Sequence, residues 1–172
     1  MRYTPYRGPR ADNGVRNSLL ILLLGAALGA LGKWSDGSVP WLAELTSGIS
    51  LWILLGTAVA LYSRTAIRAA LNVALLLGGM VAAYYATALL TNSVWSAQFL
   101  IGWGIAAVVS AAPGYLLWFA KGRSRRAWLL CAAVLLAQIA LVIVLYRAVR
   151  VIDVIVILAT AAVLLADKVV RQ

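Results

Sequence analysis

The chain has 172 residues, of which 64% are apolar and only 12% are charged, and its formal net charge is +10. Soluble domains carry about 25% charged residues, so this composition excludes a soluble globular protein and indicates a membrane protein. The sequence contains no histidine, which excludes His-based catalytic triads and HExxH zinc sites.

Apolar stretches divide the chain into six predicted membrane-spanning helices, giving an all-α bundle in one domain, 17–172. Residues 1–16 are polar and basic and are predicted to be a flexible cytoplasmic tail. About 20 apolar residues are needed to cross the hydrocarbon core as a helix. The predicted spans one to six cover about 17–32, 48–63, 66–90, 94–120, 127–146 and 149–166.

Two alternatives to this division stay open. The basic lead-in to span one and its AALGA ending also resemble a signal peptide. Spans five and six could instead form one re-entrant hairpin, because Arg147 and Arg150 lie in their connection, which would leave five crossings or fewer.

The positions of the fifteen Lys and Arg residues predict the orientation. Cytoplasmic loops hold an excess of cations because Lys and Arg resist transfer across the bilayer. With six crossings, the opposite side keeps only Lys33, Arg147 and Arg150. The other twelve are Arg2, Arg7, Arg10, Arg16, Arg64, Arg68, Lys121, Arg123, Arg125, Arg126, Lys168 and Arg171. Both termini are therefore predicted to be cytoplasmic.

Small residues recur at intervals of four, which places them on one helix face and allows a neighbouring backbone to approach closely. They serve either packing inside the bundle or docking to another subunit. Pro113 predicts a kink in span four. The predicted packing residues are Gly25 and Gly29 in span one, and Gly102, Ala106, Ser110 and Gly114 in span four.

Few polar residues lie within the spans. Asp153 is either a relay acid for protons or, as we expect, an exposed interfacial partner of Arg150 whose replacement by Asn costs under about 1 kcal/mol. Asn72 and Gln138 are predicted to hydrogen-bond to neighbouring helices, and Cys131 to be a small packing residue. A single acid within the spans forms no catalytic cluster, so no enzyme, metal or cofactor is predicted.

The non-cytoplasmic side is predicted to carry a ligand site formed by the first outer loop and spans three and four. Aromatic walls with two carboxylates suit an aromatic or cationic solute. The alternative is an interfacial aromatic belt beside an ordinary polar loop. The predicted site residues are Trp34, Asp36, Trp41, Glu44, Tyr84, Tyr85, Trp95 and Gln98.

The loop from Lys121 to Arg126 is polybasic and is predicted to contact anionic lipid. The remaining cations sit at the ends of spans, and no basic face with stacking aromatics is left for nucleic acid, which is excluded as a partner.

Spans two and three carry a recognisable residue pattern: Trp52-Ile-Leu-Leu-Gly56, Tyr62-Ser63, Ala70, Asn72, Gly79-Met80 and Tyr84-Tyr85. This pattern resembles that of an uncharacterised family of small bacterial multi-pass membrane proteins. It implies a bacterial cytoplasmic membrane protein and carries no activity. The chain is also similar to the S components of energy-coupling-factor vitamin transporters, six-helix proteins that capture a ligand on the outer side and dock through small residues in helix one, as Ala26 and Ala30 would.

The functional prediction is a solute-binding membrane component of a small-molecule transport system, with an outward-facing site. No nucleotide-binding motif is present in the sequence, so active transport would need partner subunits. The alternative is a non-catalytic membrane protein that assembles or regulates a membrane complex.

Overall fold

Helices make up 84% of the computed structural model, which describes residues 12–122 and 124–170 and contains no strand within them. The predicted all-α class is therefore confirmed. Residues 1–11 of the predicted tail lie outside the described residues, as do Arg123 and Arg171. The helices are α1 (Asp12–Ser35), α2 (Pro40–Ser47), α3 (Ile49–Tyr62), α4 (Ala66–Leu90), α5 (Ala97–Val109), α6 (Ala111–Trp118), α7 (Arg125–Tyr146) and α8 (Val151–Val170).

Local chemistry sets several of these boundaries. The hydroxyl of Thr65 accepts the backbone N–H of Arg68 at 3.2 Å, and that of Ser124 accepts the N–H of Ala127 at 3.1 Å, so α4 and α7 each begin at a side-chain cap. Arg147 ends α7 in the left-handed region, with φ of 56°. A turn thus separates α7 from α8.

Two boundaries differ from the prediction. α1 begins at Asp12, so it takes in the last five residues of the predicted tail. The first outer loop, which was predicted to be only a connection, contains the short helix α2. Pro40 stands in its first turn, where a missing N–H costs nothing. α2 and α3 meet at a bend of 55°.

The helical segments α1, α3, α4, α5–α6, α7 and α8 alternate in direction along the chain. α1 and α4 are parallel, because Gly25 lies beside Leu76 and Gly29 beside Met80. α3, which lies between them in the sequence, runs in the opposite direction. Trp118 of α6 is hydrogen-bonded at the end of α3, and Gln138 of α7 is hydrogen-bonded at the start of α3. The α5–α6 segment therefore runs in the same direction as α3, and α7 runs in the opposite direction. α8 then descends from Asp153, which contacts Ser50 near the start of α3.

Glycines bring α1 and α4 into direct backbone contact. A Cβ added at Gly25 or Gly29 would overlap the carbonyl oxygen of Leu76 or Met80. A Cβ added at Gly79 would lie 2.6 Å from the carbonyl oxygen of Leu22. Glycines on both helices thus allow a close approach that supplies dispersion contacts between helices surrounded by apolar groups.

Only some of the small residues that were predicted to form a packing face on span four pack inside the bundle. Gly114 packs against Val73, 3.0 Å from where its Cβ would stand, whereas Gly102 has nothing within 4 Å and Ala106 is exposed. Packing inside the bundle therefore does not account for Gly102 and Ala106. The span is interrupted at Ser110, three residues before Pro113. Pro113 has no N–H to donate to the preceding turn.

The distribution of polarity is the reverse of that in a soluble protein. Large apolar side chains such as Leu129, Val144 and Leu158 are more than 60% exposed, while Ser50, Gln138 and Asp153 are almost fully buried. Within residues 12–122 and 124–170, four helical segments are long and apolar enough to cross a membrane: α1, α4, α5 with α6, and α7. The bent α2–α3 pair would be a fifth if it is one span, while α8 offers a shorter apolar length. These features support an integral membrane protein.

The bundle has two chemically different ends. We call the end where α1 and α4 finish the aromatic end. Its cations are Lys33, Arg147 and Arg150, and they are matched in number by Asp36, Glu44 and Asp153. We call the opposite end the basic end. The cations of this end that fall within the described residues are Arg16, Arg64, Arg68, Lys121, Arg125, Arg126 and Lys168.

Candidate functional site

A cavity of about 410 Å³ lies at the aromatic end, enclosed by five parts of the chain. These are α1, the turn after it, the α2–α3 corner, the last turns of α4, and the start of α5 with its preceding connection. The volume falls in the range of about 300–1,000 Å³ that small-molecule sites occupy. The lining residues are Gly32, Asp36, Thr46, Ser47, Trp52, Val81, Tyr84, Tyr85, Val94, Trp95, Ser96, Phe99 and Trp103.

Six of the thirteen lining residues are aromatic. The rings of Trp52 and Trp103 lie 5.5 Å apart at an interplanar angle of 33°. Tyr85 stands edge-on to Tyr84 at 5.3 Å and to Trp95 at 6.5 Å. The indole N–H of Trp52 donates to the carbonyl of Thr46 at 2.9 Å, which fixes that ring at the α2–α3 corner. The site therefore offers a ligand the faces and edges of aromatic rings whose positions are fixed by their neighbours.

The carboxylate of Asp36 is already engaged by the protein. It accepts the hydroxyl of Tyr84 at 2.6 Å and lies 3.3 Å from the ammonium of Lys33. The same ammonium donates to the carbonyl of Val94 at 3.1 Å and lies 5.2 Å from the centre of the Tyr84 ring. This network ties α1 to α4 and to the α5 connection, and it neutralises the carboxylate that borders the cavity.

Four of the eight predicted site residues line this cavity: Asp36, Tyr84, Tyr85 and Trp95. The structure places the other four elsewhere. Trp34 and Trp41 are more than 60% exposed, and Gln98 is also exposed. Glu44 projects from α2 toward Arg150, whose guanidinium lies 3.4 Å away.

Sequence reasoning left Trp52, Ser47 and Val81 out of the predicted site. The signal for Trp52 was its place at the start of span two, on the same side as the first outer loop. Ser47 could not be placed because α2, which carries it back over the cavity, was not predicted. Val81 carries no chemical signal, since it is one apolar residue among many in α4.

Asp153 belongs to a second polar cluster, between α3, α7 and α8. The predicted contact with Arg150 is confirmed, with Nε 2.8 Å from Oδ2. The expected exposure is wrong, because Asp153 is 1% exposed. Ser50 donates to its other oxygen at 2.7 Å, and Gln138 donates to the carbonyl of Ser50 at 3.2 Å. The carboxylate is buried because α3 packs over the first turn of α8.

The two predicted amide contacts are confirmed. Asn72 accepts the hydroxyl of Ser18 in α1 at 2.7 Å and donates to that of Ser63 at 3.1 Å. Gln138 reaches α3, as described above. Its Oε1 has no hydrogen-bond partner among the described residues.

Part of the predicted lipid-binding loop is bonded to the helix bundle. The ammonium of Lys121 donates to the carbonyl of Ser63 and lies 4.8 Å from the centre of the Trp118 ring. The indole of Trp118 donates to the same carbonyl at 3.1 Å. Lys121 therefore anchors the loop to α3, while Arg125 and Arg126 are exposed.

The chain matches no known family model, no curated protein and no solved structure.

Proposed function

We propose that this chain is a solute-binding membrane component of a small-molecule transport system, with its site open on the non-cytoplasmic side. The single observation that carries the proposal is the aromatic cavity, where fixed rings from three helices enclose a volume suited to a small molecule. Transport through the membrane would use partner subunits. A site of this kind needs no catalytic group.

The proposal includes six crossings with both termini in the cytoplasm of a bacterial cell. The alternating direction of the helices supports it. So does the charge pattern, because the cations of the aromatic end are matched in number by carboxylates while the described cations of the basic end are not. α8 would then cross with a locally thinned bilayer, since its apolar length is short.

Labelling of single cysteines tests this topology in cells that carry Cys131→Ala. Gly37→Cys and Ala148→Cys should react with a membrane-impermeant maleimide from outside. Arg126→Cys should react only after the membrane is permeabilised. Outside labelling of Arg126→Cys would refute the orientation and, with it, an outward-facing site.

The chemistry of the cavity favours an uncharged aromatic solute. A cationic solute would have to displace Lys33 from Asp36, whereas a ring can stack on Trp52 or Trp103 without breaking a contact. The hydroxyls of Ser47 and Ser96 border the cavity and make no hydrogen bond within the described residues, so they can bind a polar substituent. The expected ligand is a fused or single aromatic ring that carries a hydroxyl or amide.

Binding of matched probes to the purified chain tests the site. We expect 2-naphthol to bind about tenfold more tightly than decahydro-2-naphthol, since only the first can stack. Benzyltrimethylammonium should bind more weakly than 2-naphthol. Trp103→Leu should weaken the binding of 2-naphthol, and Trp34→Leu is the matched control outside the cavity. Equal effects of the two substitutions would mean that binding is nonspecific.

A second function, the assembly or regulation of a membrane complex, is favoured by the exposed face of α5. A Cβ added at Gly102 would have nothing within 4 Å, Ala106 is exposed, and Ile105 is 60% exposed beside them. Co-purification from native membranes separates the two functions. An ATPase-bearing partner would support transport, and a partner without transport activity would support assembly.

A further inference from the structure

A groove of about 390 Å³ opens at the basic end between α1, α3 and α4. Arg64 and Arg68 line it together with Asn17 and Tyr62. Arg64, Asn17 and Tyr62 are exposed, so this side of the groove is its polar mouth. We call it the basic groove. It is separate from the aromatic cavity, and it adjoins the start of the polybasic loop, because its lining residue Ser63 accepts the ammonium of Lys121.

The two arginines are arranged to receive an anion. The guanidinium of Arg68 packs against Gly14, where any Cβ would overlap it, so the first turn of α1 holds this side chain beside the groove. No carboxylate among the described side chains pairs with Arg64 or Arg68. Guanidinium groups bind phosphate through paired N–H bonds, and Asn17 adds a further donor.

The inner part of the groove is mainly apolar, and its polar lining residues, Ser63 and Asn72, are hydrogen-bonded to each other. Leu20 and Ile21 on α1 face Ala58 and Val59 on α3 across it. These residues lie about one helical turn, or about 5 Å, further from the basic end than Asn17 and Tyr62. A cationic mouth above an apolar channel matches the headgroup and upper acyl chains of a phospholipid. A free phosphate ion would use only the mouth.

We propose that the basic groove binds one anionic phospholipid, with its phosphate on Arg64 and Arg68 and an acyl chain along α1 and α3. This site is better formed for lipid than the Lys121 loop, because Lys121 is bonded to the carbonyl of Ser63. In the proposed topology the groove lies at the level of the cytoplasmic leaflet, where anionic lipid attracts cationic residues. The proposal does not depend on solute capture at the other end.

Native mass spectrometry of the full chain, with phosphatidylglycerol and phosphatidylcholine of identical acyl chains, tests the proposal. We expect phosphatidylglycerol to be retained at least about tenfold more than phosphatidylcholine, as two cationic contacts would give. Arg64→Gln with Arg68→Gln should bring the two lipids to parity. Arg125→Gln with Arg126→Gln removes the same charge outside the groove and should keep the preference.

Two further arms identify the source of the phosphate and protect the test against misfolding. Ala58→Phe fills the apolar part without changing charge and should also reduce the retention of phosphatidylglycerol. Glycerol phosphate at millimolar concentration should not displace the lipid. Arg64→Lys with Arg68→Lys keeps the charge and should retain a reduced preference. Equal loss in the two glutamine pairs, or displacement by glycerol phosphate, would overturn the proposal.

Discussion

The two ends of the bundle handle charge in opposite ways. At the aromatic end, Lys33 and Arg150 are each bonded to carboxylates of the same chain, and Asp153 is buried. At the basic end, the described ion pairs include neither Arg64 nor Arg68. Ion pairs therefore contribute to the fold at the aromatic end, whereas Arg64 and Arg68 at the basic end are placed to interact with partners. Substitutions of charged residues should consequently affect stability at the aromatic end and interactions at the basic end.

The largest effect should follow from Asp153→Ala. Removing one partner of a buried pair leaves Arg150 without its main bond, so we expect the free energy of unfolding to fall by about 3–5 kcal/mol. Chemical unfolding in mixed micelles measures this change. Glu44→Gln acts on the same guanidinium from a side chain that is 43% exposed, and it should cost less than about 1 kcal/mol. Similar losses for both variants would contradict the role given to burial.

The next largest effect should follow from Gly29→Val, because α1 carries charged residues to both ends and is positioned by its contact with α4. The added side chain would overlap the carbonyl of Met80, so we expect a loss of about 3 kcal/mol. Gly102→Val is the matched control, since that glycine has nothing within 4 Å. Unfolding of both variants should be compared in the same lipid. A stable Gly29→Val protein would be inconsistent with the close α1–α4 contact.

A smaller effect is expected for Asp36→Asn. The amide can still accept the hydroxyl of Tyr84, but it loses the charge that holds Lys33, and the aspartate side chain is 33% exposed. The expected loss is about 1 kcal/mol, and it should shrink at high salt. Thermal unfolding at low and high ionic strength provides the measurement. A loss independent of salt would show that packing, and not charge, is the main contribution.

The smallest effect is expected at the basic end. Arg126→Gln removes an exposed cation from the first turn of α7 and should change the free energy of unfolding by no more than about 0.5 kcal/mol. The same unfolding assay serves as the measurement. A loss as large as that of Asp36→Asn would erase the difference between the two ends.

The sequence predicted the long helices well and the corner at α2 poorly. Span three, 66–90, coincides with α4, because a long and predominantly apolar run follows the capping residue Thr65. α2 was missed because its eight residues are too few to give a clear helical period. Its absence from the prediction also hid the position of Ser47 at the cavity.

The candidate site was predicted only in part, for a similar reason. Residue type and topology were enough to place Tyr84, Tyr85 and Trp95 together at one end. They could not show that Glu44 turns away from the cavity toward Arg150, since that depends on the 55° bend between α2 and α3. The burial of Asp153 likewise depends on how α3 packs on α8, which no local pattern records.

The glycine contact between α1 and α4 also affects how the chain can assemble during synthesis. Gly29 meets Met80, about fifty residues further along the chain. At the usual elongation rates of about 5–20 residues per second, α1 waits roughly 3–10 seconds before its main partner has been made. Docking of α1 therefore has to wait for the synthesis of α4, and it joins helices that are not neighbours in sequence.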